Sequence, residues 1–248
     1  MNKSTKYILL LCLFFLTYLI YGQKNNGFVL YKKSLRTPIS YEDIKNTKFR
    51  DFNKSLVKAS NELEYKLEFT AQESTFKVIE ILESDGDRIS KFAIRLGSGN
   101  GIRYTNINTK ELIHQKDAYG KQFLIVSSLD SIKWKLINES KNINGYKCFK
   151  AITSEVVVGS KKTTIVDVVA WYEPKIPISF GPVGYGGLPG LIIELQIDKY
   201  KYYLTKIELN SKKEVKIQKP IKGKRMTLNE FLEYEKELAG QNRSYMRN

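Results

Sequence analysis

Histidine occurs once in these 248 residues, at His114, and cysteine twice, at Cys12 and Cys148. One imidazole cannot build a multi-histidine metal site. Neither His114 nor Cys148 has a catalytic motif beside it, and no G-x-S-x-G elbow occurs. A nucleotide loop is missing too, because Gly184–Gly190 (GYGGLPG) lacks the Lys-Ser/Thr ending that holds phosphate and magnesium. Asp85 and Asp87 lack the twelve-residue calcium pattern and read as a turn around Asp85-Gly86. There is no internal repeat and no low-complexity tract. These absences assign no catalytic residue, no metal and no cofactor, and they point to a protein that is not an enzyme.

What is present begins at the amino terminus. Lys3 and Lys6 precede an almost unbroken apolar run, Tyr7–Tyr21, ended by the small residue Gly22. Residues 1–22 therefore read as a signal peptide, too short for a membrane span. Cys12 sits mid-run without small residues before it, so no lipid anchor is expected. Cleavage would leave Cys148 alone, excluding an intramolecular disulfide even in an oxidising periplasm. Burial of Cys148 as a small apolar side chain is expected. The expected location is the periplasm or outer envelope. Residues 23–240 read as a single β-rich domain and 241–248 as a frayed tail.

The net charge is +15, from 41 basic and 26 acidic residues. Such a balance usually points to nucleic acid, but an exported chain meets anionic lipid headgroups instead, and no nucleic-acid partner is expected. Most lysines alternate with apolar residues, as in Lys133-Trp134-Lys135-Leu136, and a solvated sheet face accounts for that pattern. Only Lys212–Arg225 concentrates positive charge. It reads either as an anionic-surface contact or as a lysine-guarded edge strand at Glu214–Gln218.

The chain predicts a mainly β (α+β) fold. Phe28–Tyr31 opens as a strand, and Ser40 with Asp43 signals a helix ending near Asn61. From Leu63 the apolar period becomes two. Strands follow at Leu63–Phe69, Thr75–Leu82, Ile89–Leu96, Ile102–Ile107, Glu111–Gln115, Lys121–Val126 and Ile132–Ile137. Further strands are expected at Tyr146–Thr153, Thr163–Tyr172, Leu191–Gln196 and Lys201–Leu209. Turns at Tyr119-Gly120, Asn144-Gly145 and Gly159-Ser160 separate several of them. Thr227 and Glu230 form a capping box for a last helix ending near Gly240. Short connections make the sheet an antiparallel meander. A large curved sheet of this kind becomes an open half-barrel or a sandwich, covered on one face by one N-terminal and one C-terminal helix. That shape is similar to LolA-type lipoprotein carriers as a fold-level analogy alone.

Four of the six prolines (Pro174, Pro177, Pro182, Pro189) and five of the sixteen glycines (Gly181, Gly184, Gly186, Gly187, Gly190) crowd one segment between two strands. Such density specifies a backbone path that is neither helix nor ordinary strand. Within it, Gly187–Ile192 spells GLPGLI. With Lys133-Trp134, Ile143–Cys148, Ala170–Tyr172, Ile176-Pro177 and the earlier Leu67–Phe76, the chain resembles the GLPGLI (Porph_ging) family of exported proteins in Bacteroidota. The resemblance covers roughly residues 60 to 200. It implies an exported protein in a setting beside TonB-dependent outer-membrane receptors, and no activity.

Three functional readings follow. In the first, the loop is a structural corner or a docking surface for an outer-membrane receptor or other envelope protein, with Trp171, Phe180, Pro182, Tyr185, Leu188 and Pro189 on a Gly/Pro frame. It expects exposed Tyr185 and Leu188 and no deep cavity. In the second, a periplasmic carrier holds a hydrophobic ligand such as a lipid in a cavity under the helices. In the third, a hydrolase uses two carboxylates in a cleft near the loop, Glu173 and Glu194 being the first suspects. Both of these also fit as solvent-facing strand-end residues.

Overall fold

Along the first strand, β1 (Gly27–Leu35), buried residues alternate with half-buried ones from Gly27 to Lys33. A strand with one covered face must show that period of two. The structure, a computed structural model, describes residues 26–36, 41, 44–79, 88–96, 100–158 and 163–245. Eleven further strands follow: β2 (Glu64–Phe69), β3 (Glu73–Val78), β4 (Ile102–Asn106), β5 (Glu111–Ala118), β6 (Lys121–Ser128), β7 (Lys135–Ile143), β8 (Tyr146–Val158), β9 (Thr163–Glu173), β10 (Leu191–Ile197), β11 (Tyr200–Leu209) and β12 (Lys224–Thr227). Among the described residues three helices accompany them: α1 (Thr47–Glu62), α2 (Arg88–Leu96) and α3 (Leu228–Tyr245).

All twelve strands form one open sheet in the order β12-β6-β5-β4-β3-β2-β1-β11-β10-β9-β8-β7. Every pairing is antiparallel except β12 with β6. The first strand therefore sits mid-sheet and joins two meanders. In a flat sheet β6 and β7 would lie ten strand spacings apart, roughly 48 Å. Only residues 129–134 connect them, a reach of about 25 Å at most. The sheet must curl, bringing its two ends near each other without closing.

The positive-φ pairs Tyr119-Gly120 and Asn144-Gly145 make the β5–β6 and β7–β8 turns, the conformation that tight hairpins require. Helix α1 starts later than the sequence implied: Asn46 caps it by accepting from Phe49 N at 3.0 Å, and Ser40 lies outside the described residues. The Asp85-Gly86 and Gly159-Ser160 turns also lie outside them. The capping box is present, with Glu230 N donating to Thr227 Oγ1 (3.2 Å) and Thr227 N to Glu230 Oε2 (2.7 Å). Helix α3 runs past Gly240 to Tyr245.

Two expectations fail. Ile89–Leu96 is helix rather than strand, because Ile89 and Ala93 are one helical turn apart and pack on the core together. Glu214–Gln218 is irregular. Pro220 follows it, and β12 takes the free edge of β6 instead. The segment crosses the outer face, where Ile217 packs on Tyr104, Ile113 and Leu124, so the sheet is covered on both faces there.

Directly paired residues share a face, so the register defines an inner row across β1 to β6: Val29, Leu67, Phe76, Arg103, His114, Ile125. The row is apolar, then polar for two residues, then apolar again. The main core lies beneath its first half.

Candidate ligand site

The segment Pro174–Gly190 folds back over the inner face. Leu191 N donates to Ile176 O (3.1 Å), Ile192 N to Phe180 O (3.2 Å) and Gly187 N to Ser179 O (2.9 Å). Tyr31 donates its hydroxyl to Ile192 O at 2.6 Å, and Trp134 Nε1 donates to Gly186 O at 2.9 Å. Glycine is required where neighbours come too near for a side chain. A Cβ at Gly190 would stand 2.3 Å from Glu173 O, and one at Gly181 2.6 Å from Ile192 Cδ1. These contacts make the loop a packed wedge.

The six residues of the docking reading do not form one surface. Phe180, Pro182 and Leu188 are buried, and Leu188, expected to be exposed, is only 2% exposed. Trp171 points to the opposite face from its neighbour Ala170, with Lys141 Nζ 4.2 Å from its ring centre. Tyr185 is half-buried and Pro189 exposed.

The loop borders open space as well as filling it. Its short 3-10 turn, Pro182–Gly184, contacts β3 and β4. Between that turn, β4–β6, β8 and the start of α3 lies a cavity of about 490 Å³. Strands from both ends of the sheet line it, the consequence of the curl. Val183, on its wall, is held at φ 57°, a left-handed conformation that β-branched residues seldom adopt. Ile125, Val156, Leu228 and Phe231 give the cavity apolar walls.

Its polar groups come one or two from each element. From β5, His114 Nε2 lies 2.9 Å from Asn100 O; a carbonyl only accepts, so Nε2 carries the proton and Nδ1 keeps a lone pair. Burial, reinforced by Arg103, holds the His114 pKa well below its ordinary value, so the ring is neutral. Lys116, also on β5, meets Glu235 of α3 at 3.8 Å and lies 4.5 Å from the Phe231 ring centre. Burial lowers its pKa, and Glu235 opposes that shift. Tyr185 donates to Glu155 of β8; its own pKa is raised, mainly by burial. Arg103 of β4 differs from these. Its Nε is buried without a hydrogen-bond partner among the described residues, and it enters none of their ion pairs. Burial pulls its pKa down, the phenols of Tyr202 and Tyr185 and the Glu155 carboxylate opposing.

Glu173 and Glu194 lie elsewhere, and neither lines the cavity. Both are buried, at 5% and 7% exposure, against the expectation of solvent-facing strand ends. Glu194 accepts from Lys141 Nζ (3.0 Å) and Gln196 Nε2 (2.8 Å), and Glu173 from Lys175 N (3.0 Å). Such committed carboxylates belong to the architecture of the sheet. Cys148, near both, is fully buried. Burial, then Glu173, pushes its thiol up to about 12, which keeps it unreactive. Among the described residues no group of three or more His, Cys, Asp or Glu side chains could hold a metal ion, and no helix is long and apolar enough to cross a membrane.

A family model, Porph_ging, described as a protein of unknown function, matches residues 134–194. That is about a quarter of the chain, running from Trp134 through the loop to Glu194. Two solved structures of PNGF-II, in different space groups, are similar to this chain at 12% identity and a TM-score of 0.49. The match covers 84% of this chain and 32% of PNGF-II, so the chain spans about a third of that protein. No curated protein sequence matches.

Proposed function

We propose that this is an exported, non-enzymatic binding protein of the cell envelope that holds a small, partly apolar molecule between its sheet, its Gly/Pro loop and its last helix. The observation that carries this reading is the cavity of about 490 Å³, within the usual size range of small-ligand sites. Apolar walls with a few converging polar groups are the usual make-up of such sites. The export half of the reading rests on the basic start and apolar run of residues 3–22. Docking through the loop loses its principal support with Leu188 buried, and the hydrolase reading loses its cleft because Glu173 and Glu194 stand outside the cavity.

Native mass spectrometry of the protein recovered from its own cell envelope tests the proposal. A reproducible small-molecule adduct is expected, and Ser127→Trp, which fills the cavity from the inner face of β6, should abolish it. A clean mass for the natural sequence, or an adduct that survives Ser127→Trp, would count against the cavity.

A further inference from the structure

Taking the cavity as a ligand site, as proposed above, we infer that its occupant is an amphipathic monoacid whose carboxylate is gripped by Arg103 while its apolar body lies along Ile125, Val183, Leu228 and Phe231.

Arg103 stands directly between the core residue Phe76 and His114 on the inner face. Arg103 is half-buried as a whole, but its Nε is buried with no hydrogen-bond partner among the described residues, and a buried donor left unpaired is costly. The other titratable side chains of the cavity named above each have a protein partner. Lys116 meets Glu235, Tyr185 donates to Glu155, and His114 donates to the Asn100 carbonyl. Glu155 acts on Arg103 electrostatically, yet forms no ion pair with it and has one oxygen engaged by Tyr185. The open donor of the site is therefore Arg103 Nε–H, one edge of a guanidinium whose natural complement is a carboxylate.

The surrounding charge narrows the class further. Neutral His114 adds no positive charge, and Glu155 and Glu235 offset Lys116 and part of the Arg103 field. Two cations against two carboxylates leave no net positive charge, which disfavours a doubly charged phosphate monoester relative to a monoanion held by Arg103 locally. The side chain of Arg103 also packs against the loop, where a Cβ at Gly184 would stand 3.7 Å from Arg103 Cδ. The wedge thus steadies the stem that presents the guanidinium.

Calorimetric titration of the full chain, stripped of bound small molecules, with decanoate and with 1-decanol at neutral pH tests the inference. Decanoate is expected to bind at least tenfold more tightly than 1-decanol. Arg103→Met should cost decanoate about tenfold while leaving 1-decanol within about twofold. Equal affinity for the two probes in the natural protein would overturn the acid assignment and leave the cavity as a ligand site. So would an Arg103→Met variant that keeps the preference. Failure of both probes to bind would overturn the inference and the proposed function together. The comparison of probes on the natural protein decides the matter even if Arg103→Met does not fold.

Discussion

The loop wedge and the cavity beside it share a wall and are built on opposite terms. In the wedge the backbone bonds largely to itself, Phe180 and Leu188 are almost fully buried, and three glycines, Gly181, Gly186 and Gly190, exclude even a methyl group. In the cavity the walls come from both ends of a curled sheet, volume is left open, and Arg103 Nε has no hydrogen-bond partner among the described residues. The Gly/Pro motif that dominates the sequence is thus packing. Its chemical consequence is indirect: by filling one half of the inner face it fixes the rim of the other half.

That contrast can be tested by removing atoms and by adding them. The largest effect is expected from Gly190→Ala, whose new Cβ meets the Glu173 backbone. Overpacking against backbone should cost at least about 3 kcal/mol, read as the shift in urea midpoint at constant slope. Leu188→Ala should cost about 3 kcal/mol by opening a void in the wedge, whereas Leu112→Ala, on a wall that already borders open space, should cost about 1 kcal/mol. Equal losses at the two leucines would erase the difference between the regions.

Lys33 extends the comparison to another unpaired donor on the inner face. It is 1% exposed, and its Nζ has no hydrogen-bond partner among the described residues, lying 4.9 Å from the Tyr200 ring centre. Burial lowers its pKa to about 8, from an ordinary 10.5. Between those values the unfolded chain binds the extra proton, so stability should rise as pH climbs from about 8 towards 10.5. Below that window the full burial penalty is present. Lys33→Met should therefore stabilise the protein by about 2 kcal/mol at pH 7 and abolish the rise, as denaturant melts at pH 7, 8, 9 and 10 would show. A rise that persists in the variant would assign it to another group.

The smallest effect concerns the pin between Trp134 and the loop. Trp134→Phe removes the donor to Gly186 O while keeping most of the ring packed on Tyr185. A loss of about 1 kcal/mol is expected, with faster hydrogen exchange at the Gly187 amide, which donates to Ser179 O. A loss above about 3 kcal/mol would mean that the wedge depends on this one contact.

Much of the sheet was legible because a half-covered strand repeats every two residues, as Leu63–Phe69 and the paired turns at Tyr119-Gly120 and Asn144-Gly145 do. The capping box Thr227/Glu230 was legible for the same local reason. What failed depended on partners far away in the chain. Ile89–Leu96 carries β-favouring residues, yet α1 offers it a helix to pack on. Val215 and Ile217 alternate like a strand, but β12 takes the β6 edge. The site was less legible still. Arg103, His114, Lys116, Glu155 and Glu235 come from four elements and share no spacing, and only the register shows that Arg103 and His114 fall in line with core residues. The one signal that could have found the site was the six-residue link between β6 and β7, which forces the sheet to curl.

The central claim is that ligand chemistry belongs to the cavity and packing to the motif. An NMR titration of the ¹⁵N-labelled protein with decanoate tests it most directly. The account predicts that shift changes cluster on β4, β5 and β6, at Val183-Gly184 and along the first turns of α3. Changes centred on Gly187–Gly190, with the β4–β6 amides unmoved, would contradict it and return function to the outer surface of the loop.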